Sequence, residues 1–363
     1  MKKIIGIFSV FLLIIGISGC GANTNKKGAC GAGDPQVVMV TDTGGIDDKS
    51  FNQGTWEGIQ QACSELGVGG TYIQSTNESE MEGNLRRAAQ EGKIVVAVGF
   101  SFEKVIAKVA KEFPDVKFVA IDAQPTDEAG NPVSLPNVFS YFFKEAEAGY
   151  LVGYIAGKKT ATNHVGFVGG IKNPAVQHFG YGFIQGVQAA NPNAIVEYQY
   201  ADSFTDVNKG QQIANSMIAS GADIIFTAGG AVNNGVVEAA ITQTKSNPSQ
   251  PISVIGVDRD MYQDGVYDGD KSVILTSAVK NTGKAAFSAI QTLKDGQTPP
   301  SVSYLNVNDG YVGLPENNPN LANDKSLIND ARVSLQQAIS TSSLATDKDT
   351  VASNITITIN GDY

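Results

Sequence analysis

The sequence predicts an α/β protein in which two doubly wound parallel sheets form two lobes. Short β-branched runs alternate with segments of helical period along most of the chain. The strand-like runs are continuously apolar rather than alternating, which is typical of parallel strands covered by helices on both faces. Right-handed crossovers wind such units into doubly wound domains. About 325 residues follow the N-terminal segments, which is too many for one ordinary core, so two lobes are expected.

The individual strands and helices are predicted from these two patterns, the continuous apolar runs and the segments of helical period. The strand-like runs are short and apolar, and they cover residues 37–41, 71–74, 94–98, 118–121, 138–142, 165–168, 195–200, 224–227, 252–257 and 273–277. The segments between them repeat apolar residues at a period near 3.6, which predicts amphipathic helices. Examples cover residues 51–66, 81–91, 102–112, 146–159, 207–219, 233–244 and 282–293. Each strand is therefore expected to be followed by a helix that covers its sheet.

The N-terminal segment has the pattern of a bacterial secretion signal. A basic head of Lys2 and Lys3 precedes an apolar stretch and then the sequence Ile-Ser-Gly-Cys, which ends at Cys20. This ending resembles the lipobox, in which the cysteine is diacylated, and two acyl chains give stable membrane anchoring. We expect residues 1–19 to be the signal peptide and residues 20–35 to be a flexible tether on the extracytoplasmic face of the membrane. The alternative is an ordinary signal peptide that is cleaved elsewhere.

The charge balance excludes several classes of partner. The chain carries 26 basic and 36 acidic side chains, a net charge of −10. Such an acidic protein is poorly suited to bind nucleic acid or anionic lipid. With only two histidines and no Cys-x-x-Cys pair, a transition-metal site is not expected either, and no cofactor is predicted.

The remaining cysteines are interpreted as unpaired. Cys63 shares a predicted helical face with Trp56 and Ile59, which is typical of a buried core thiol. A Cys30–Cys63 disulfide is the alternative, but Cys30 lies in the predicted tether, which would gain little from a covalent link.

The candidate binding residues gather where predicted strands end. Ligands of open α/β sheets bind beyond the carboxyl ends of the strands. The residues at these ends are mainly glycine, aspartate, phenylalanine and lysine, and they include Asp42, Phe100, Asp122, Phe204, Gly230, Asp258 and Lys280. Glycine allows a ligand to approach the backbone, aspartate accepts hydroxyl donors, and phenylalanine offers a flat apolar face. The set predicts a ligand-binding site at these strand ends.

Each of these residues has a structural alternative. Asp42 could bond to its own turn, Asp122 could cap a helix, and Asp258 could belong to a local ion cluster with Arg259. Lys280 could be a surface cation. Phe51 and Phe204 could be core aromatics, but each stands between polar neighbours, which favours a ligand platform.

The stretch VTDTGGIDDKSFNQGTWEG at residues 40–58 resembles the N-terminal signature of the basic membrane protein family. The similarity continues through residues 98–100, 149–151, 166–170, 228–230 and 255–260, and it spans roughly residues 37 to 310. Members of this family are lipoprotein solute receptors whose fold is similar to that of type I periplasmic binding proteins. The resemblance implies a substrate-binding protein of an ABC importer, and not an enzyme. It implies a hinge between the lobes and a monomer that passes its solute to the permease.

The resemblance also implies a ligand and a role for each site residue. Purine nucleosides such as adenosine, guanosine and inosine are expected between the rings of Phe51 and Phe204. Asp122 is expected to bond to the base edge. The ribose is expected to contact Asp42, Asp258, Lys280 and the backbone of Gly230. Asn52 and Phe100 lie in matching segments and complete the predicted set.

Lobe boundaries are expected where the chain crosses between the sheets. Around residues 138–145 two strand-like runs meet without a long helix between them, which predicts a crossing. The resemblance implies further crossings. Residues 36–142 with 275–298 are therefore expected to form the N-terminal lobe, and 143–274 with 299–340 the C-terminal lobe. Residues 341–363 form a polar extension that ends in a strand-like run, 355–359, with no evident partner.

Functions from other classes remain open at this level. A nucleoside-processing enzyme could use an aspartate cluster. However, the segment from Gly153 to Thr160 is one residue short of a phosphate-binding loop, and no Gly-x-Ser-x-Gly motif occurs. A receptor of the same fold for a sugar or a signalling molecule would also use aromatic rings and aspartates. An adhesin or sensor in which solute binding is secondary is a third alternative.

Overall fold

A computed structural model of the chain describes residues 28–34 and 36–363. The predicted signal peptide, the predicted lipidation site at Cys20 and most of the predicted tether lie outside these ranges. The described residues form two lobes, each built on a large, mainly parallel sheet with helices on both faces. The predicted fold class is thus confirmed. Within the same ranges, no helix combines the length and the apolar content needed to cross a membrane.

The first lobe begins with a run of parallel βα units. Its elements are β1 (Gln36–Val40), α1 (Phe51–Leu66), β2 (Gly69–Ile73), α2 (Glu78–Glu91), β3 (Ile94–Val98), α3 (Glu103–Glu112), β4 (Lys117–Ile121) and β5 (Val138–Phe143). All five residues of β3 are buried, because helices cover both faces of the sheet. Leu85 of α2 and Ile106 of α3 pack on one face, and Ile59 of α1 packs on the other.

The second lobe repeats this construction. Its elements are α4 (Glu145–Lys159), β6 (His164–Gly169), α5 (Pro174–Ala190), β7 (Ile195–Tyr200), α6 (Val207–Ala219), β8 (Ile224–Ala228), α7 (Val232–Ser246), β9 (Ser253–Asp258), the short hairpin β10 (Val266–Asp268) and β11 (Lys271–Ser272), and β12 (Ile274–Lys280). Helices α4 and α5 pack so closely that a Cβ added at Gly153 would lie 2.2 Å from the carbonyl oxygen of Phe183.

The rest of the chain returns to the first lobe and leaves it again. Helix α8 (Thr282–Lys294) packs on α1, and β13 (Val302–Leu305) pairs with β5. Then β14 (Val312–Gly313) pairs with β12, and α9 (Lys325–Ser340) packs on α4. The chain therefore crosses between the lobes at Lys144, at Asn281 and in the segment 306–311. These three crossings form the hinge.

Two predicted boundaries are corrected by the strand pairing. The prediction placed the chain in the first lobe from residue 275, but β12 pairs with β9 in the second sheet. It placed residues 299–340 in the second lobe, but β13 extends the first sheet beside β5. The crossings therefore follow β12 and β13 instead of preceding them. An apolar run predicts a strand, but it does not specify the sheet that the strand joins.

The polar C-terminal extension is part of the second lobe. It contains α10 (Lys348–Asn354) and β15 (Thr358–Asn360). Strand β15 pairs in parallel with β7 and thereby supplies the partner that the sequence did not reveal for the run 355–359. The side chain of Gln185 on α5 also donates to the carbonyl of Ala345 at 2.9 Å and accepts from its N–H at 2.9 Å.

The expectation that Cys30 and Cys63 remain unpaired is wrong. They form a disulfide with a Cα–Cα distance of 5.9 Å. Cys30 is brought to α1 because it pairs with the start of β2: its N–H donates to the carbonyl of Gly70 at 2.8 Å, and the reverse bond measures 2.7 Å. The last part of the predicted tether is thus an added edge of the first sheet.

Candidate functional site

A cleft of about 730 Å³ lies between the carboxyl ends of the two sheets. All nine residues predicted to bind the ligand line it: Asp42, Phe51, Asn52, Phe100, Asp122, Phe204, Gly230, Asp258 and Lys280. The first lobe contributes Asp42, Phe51, Asn52, Phe100 and Asp122, and the second lobe contributes the remaining four. Both halves of the cleft are at strand ends, as the topology of doubly wound sheets requires.

Lys280, at the end of β12, lines the cleft. Its ammonium contacts the carboxylate of Asp122 from the first lobe and that of Glu145 at 2.8 Å. The rings of Phe143 and Phe51 lie 4.9 and 5.2 Å from Nζ, measured to their centroids. Since only 2% of the side chain is exposed, Lys280 is a buried cation and not a surface residue.

The charges around Lys280 shift one another's pKa values. Burial alone would lower the pKa of Lys280, but the carboxylates of Asp122, Glu145 and Asp258 raise it above its usual range, so the ammonium stays charged. Burial raises the pKa of Asp122, although Lys280 opposes the rise. Burial would also raise the pKa of Glu145, but Lys280 and His178 together bring it below its usual range.

Two aspartates at strand ends have a left-handed backbone. Asp122 follows β4 with a φ of 53°, and Asp258 ends β9 with a φ of 66°. Aspartate tolerates this conformation better than most residues, and such conformations concentrate at functional sites. Asp258 accepts a hydrogen bond from the Ser50 hydroxyl across the cleft. Its neighbour Arg259 pairs with Asp264 at 2.6 Å, so Asp258 is not part of a local ion cluster with Arg259.

Asp42 and Asp48 form an acidic pair before α1. Asp48 accepts from the N–H groups of Ser50, Asn52 and Gln53 and so caps the helix. Asp42 accepts from the Gly44 N–H at 2.9 Å and from the side chain of Asn52 at 2.8 Å. Burial raises the pKa of Asp42 to about 6 and also raises that of Asp48. All of these hydrogen bonds to Asp42 and Asp48 are donated by neutral amide groups.

Three of the predicted aromatic residues are half-buried at the cleft. Phe51 begins α1, Phe100 follows β3, and Phe204 lies in the loop between β7 and α6. Gly170 leaves room for Phe204, since a Cβ at that position would lie 2.5 Å from its ring. Phe51 and Phe204 come from different lobes, so a planar ligand between them would contact both halves of the protein.

A family model described as "ABC transporter substrate-binding protein PnrA-like", named Bmp, matches residues 35–347. The chain belongs to the Bmp family. Its members are substrate-binding proteins of ABC transporters and not enzymes, which confirms the predicted class. In agreement, the segment from Gly153 to Thr160 is not a phosphate-binding loop, because it lies almost entirely within α4.

Several curated proteins resemble this Bmp family member over most of its length. A protein of Lactococcus lactis subsp. cremoris named "ABC transporter nucleoside-binding protein BmpA" is 34% identical and covers 86% of this chain and 91% of its own. The "CD4+ T-cell-stimulating antigen" of Listeria innocua is 38% identical, with coverages of 86% and 89%. "Basic membrane protein A" of Borreliella burgdorferi is 31% identical, with coverages of 76% and 77%.

Solved structures show the same fold. An ABC transporter solute-binding protein from Aeropyrum pernix K1 is 25% identical with a TM-score of 0.73, and the match covers 88% of this chain and 95% of that one. An arabinose-binding protein from Geobacillus stearothermophilus is 16% identical with a TM-score of 0.56 and coverages of 78% and 96%. At 16% identity, the match to the arabinose-binding protein supports only the two-lobed fold.

Several residues that line the cleft of this Bmp protein are not among those predicted from the sequence. Glu145 lies two residues after the end of β5, so the rule that ligands bind at strand ends could have identified it. His178 and Phe179 lie inside α5, and no local pattern marks them as cleft residues. Glu147, on α4, accepts from the N–H of Val307 in the hinge at 2.8 Å. These residues line the cleft from α4 and α5, which pack closely on each other.

Proposed function

We propose that the protein captures purine nucleosides in the cleft and delivers them to the permease of its ABC transporter. The observation that carries this proposal is that two half-buried phenyl rings, Phe51 and Phe204, share one cleft with a set of buried carboxylates. The rings suit a planar base, since stacking of a base on one aromatic side chain contributes roughly 1–3 kcal/mol. The relative named as nucleoside-binding supports the same ligand class.

The carboxylates suit the hydroxyl groups of a ribose. Asp42 and Asp258 face the cleft from opposite lobes, and each has hydrogen-bonding capacity beyond its contacts within the protein. A carboxylate binds adjacent hydroxyls with charge-assisted bonds, which are stronger than bonds between neutral groups. Asp122, beside Lys280, has a buried Oδ1 without a hydrogen-bond partner among the described residues. We assign that atom to an N–H group on the edge of the base.

Closure of the lobes would complete the site. Because the two rings and the two ribose carboxylates are divided between the lobes, a ligand gains its full set of contacts only when the cleft is closed. A ligand that binds the closed form more tightly shifts the population toward it. The permease would then receive a closed, loaded receptor.

The ligand class can be tested by calorimetric titration of residues 28–363. Adenosine, guanosine and inosine are expected to bind, whereas cytidine, ribose, arabinose and the free bases are expected to bind at least ten-fold more weakly. Arabinose and ribose test the alternative of a sugar receptor. Binding of either sugar with no response to any purine nucleoside would overturn the proposal.

We also propose that Cys20 carries the lipid that holds the protein at the outer face of the cytoplasmic membrane. The lipobox-like sequence before Cys20 supports this proposal. Expression of the full chain in a Gram-positive host, followed by mass spectrometry, should show an N-terminal diacylated Cys20. The Cys20→Ser variant should move from the membrane to the medium, and retention of that variant in the membrane would contradict the proposal. We expect a monomer, which light scattering of residues 28–363 would check.

A further inference from the structure

We propose that the cleft also captures purine nucleosides whose base carries a positive charge, such as N7-methylated purine ribosides, and that it binds them more tightly than neutral ligands of the same shape. This inference rests on the proposed function and names a further substrate class for the same site. It follows from the charge of the cleft and from the chemistry of its two aromatic rings.

Acidic side chains outnumber basic ones in the cleft. Among the described residues that line it, seven carry a carboxyl group and two are lysines. The acidic residues are Asp42, Asp48, Glu103, Asp122, Glu145, Glu147 and Asp258. The basic residues are Lys144 and Lys280. A neutral nucleoside leaves this surplus unchanged, whereas a cationic base reduces it.

The excess of carboxyl groups over ammonium groups remains after the ion pairs are counted. Lys280 is the single ammonium between Asp122 and Glu145, and both carboxylates contact it. Asp42, Asp48 and Asp258 form no ion pair within the described ranges; their hydrogen bonds come from neutral amides and from the hydroxyl of Ser50. These three carboxylates therefore lack a positive partner in the unliganded cleft, and burial strengthens their field.

Lys280 does not exclude a second cation. Its ammonium lies 5.2 Å from the ring centroid of Phe51, so a charged base stacked there would be near it. However, the carboxylates of Asp122 and Glu145 both contact that ammonium, and Asp42 and Asp258 add negative charge to the cleft above about pH 6. The net field at the ring therefore remains attractive for a delocalised cation.

The aromatic rings favour the same ligand. A cation near the face of a phenyl ring is attracted by the ring's quadrupole, and desolvation strengthens that attraction. A methylated purinium base spreads its charge over the planar ring system, so stacking and cation–π attraction act together. The unpartnered Oδ1 of Asp122, on a side chain that is 90% buried, provides an acceptor at the same site.

The test compares ligands of equal shape and different charge. Residues 28–363 are titrated with 7-methyladenosine and with 7-methyl-7-deazaadenosine, which carries the same methyl group on a neutral base. 7-Methylguanosine, whose base is cationic while its N1 proton is retained, and its 7-deaza counterpart form a second pair. We expect the charged member of at least one pair to bind about ten-fold more tightly than its neutral isostere.

Two variants test the origin of the preference. Asp122→Asn keeps the shape of the side chain and removes one charge, so it should reduce the ratio of affinities for the charged and neutral members about three-fold or more. Glu238→Gln removes a carboxylate on the exposed face of α7 and should leave the ratio unchanged.

The outcomes separate this inference from the proposed function. If adenosine and guanosine bind but neither charged analogue exceeds its neutral isostere, the cation preference is wrong and the nucleoside receptor stands. If a charged analogue exceeds its isostere and Asp122→Asn leaves the ratio unchanged, the role given to this carboxylate is wrong. If no purine nucleoside of either kind binds, the proposed function itself fails.

Discussion

The Nε of Arg259 donates a hydrogen bond to the backbone carbonyl of Lys49 at 2.5 Å, and so joins the second lobe to the loop that precedes α1 in the first. Asp264 holds the guanidinium at 2.6 Å and lies 3.7 Å from the ammonium of Lys49. Next to these contacts, the hydroxyl of Ser50 donates to Asp258. These bonds link the two lobes beside the cleft.

Replacing Arg259 with Gln should weaken the binding of all purine nucleosides by a similar factor of about 3 to 10, since a charge-assisted hydrogen bond between the lobes is lost. Its effect should be on the dissociation rate, because the side chain holds the lobes together without belonging to the predicted ligand-binding set. Stopped-flow measurements would check this, with Arg332→Gln at an exposed position of α9 as the control. A change in the order of preference among nucleosides would show that Arg259 contacts the ligand instead.

Truncating Phe204 to Ala should weaken nucleoside binding ten-fold or more, because one stacking partner of the base is lost. Phe204→Tyr keeps the ring and should retain most of the affinity. Both variants can be measured by calorimetry against guanosine and adenosine. Equal affinity of the Ala variant and the unchanged protein would remove Phe204 from the site.

Changing Asp258 to Asn should reduce the preference for nucleosides over free bases, because a charged acceptor for the ribose hydroxyls becomes neutral. The affinity for a nucleoside should fall about ten-fold, whereas that for the free base should change little. Parallel titrations with guanosine and guanine give the ratio. An unchanged ratio would dismiss the ribose role of Asp258.

The affinity for nucleosides should fall as the pH is lowered through about 6. Burial raises the pKa of both Asp42 and Asp258 to about 6, so protonation near this pH removes the charged acceptors that the ribose requires. Titrations of inosine between pH 8 and pH 5 would measure the decline. Asp42→Asn should make the profile shallower, and a profile that is flat in the unchanged protein would contradict the proposed acceptors.

Asp42 and Asp258 should give the free energy of unfolding of the unliganded protein the opposite dependence on pH: it should fall as the pH rises. Their pKa values are higher in the folded state than in the unfolded chain, so between about pH 4 and 6 the folded state binds more protons. Their contribution to the free energy of unfolding therefore falls as the pH rises through this window. Urea unfolding of the Asp42→Asn variant should show a weaker loss of stability across that window than the unchanged protein.

Removing the Cys30–Cys63 disulfide should lower the free energy of unfolding by about 2–4 kcal/mol, because the link closes a loop with a sequence separation of 33. The disulfide joins the edge of the first sheet to α1, so nucleoside affinity should be unchanged. The Cys30→Ser, Cys63→Ser double variant can be compared with the unchanged protein by urea unfolding and calorimetry. A loss of affinity without a loss of stability would contradict this account.

The sequence by itself determined the fold class and the candidate site to a large extent. Continuous apolar strands report burial on both faces, and doubly wound sheets place ligands at the ends of such strands. Asp122 and Lys280 lie far apart in sequence, yet the strand-end rule predicts both as site residues, and the structure brings them into contact. The signature at residues 40–58 identified the family that the comparisons confirm.

Only the tertiary structure decided which sheet each late strand joins, whether the cysteines pair, and which helix residues reach the cleft. Residues 274–280 and 302–305 both read as strands, but their partners β9 and β5 are set by long-range packing. Cys30 meets Cys63 because residues 28–34 add to the edge of the first sheet. His178 faces the cleft because α5 packs on α4. Local sequence patterns reflect the period of a helix or strand and the burial of its residues. The strand partners, the disulfide and the helix residues that line the cleft depend instead on contacts between segments that are distant in the chain.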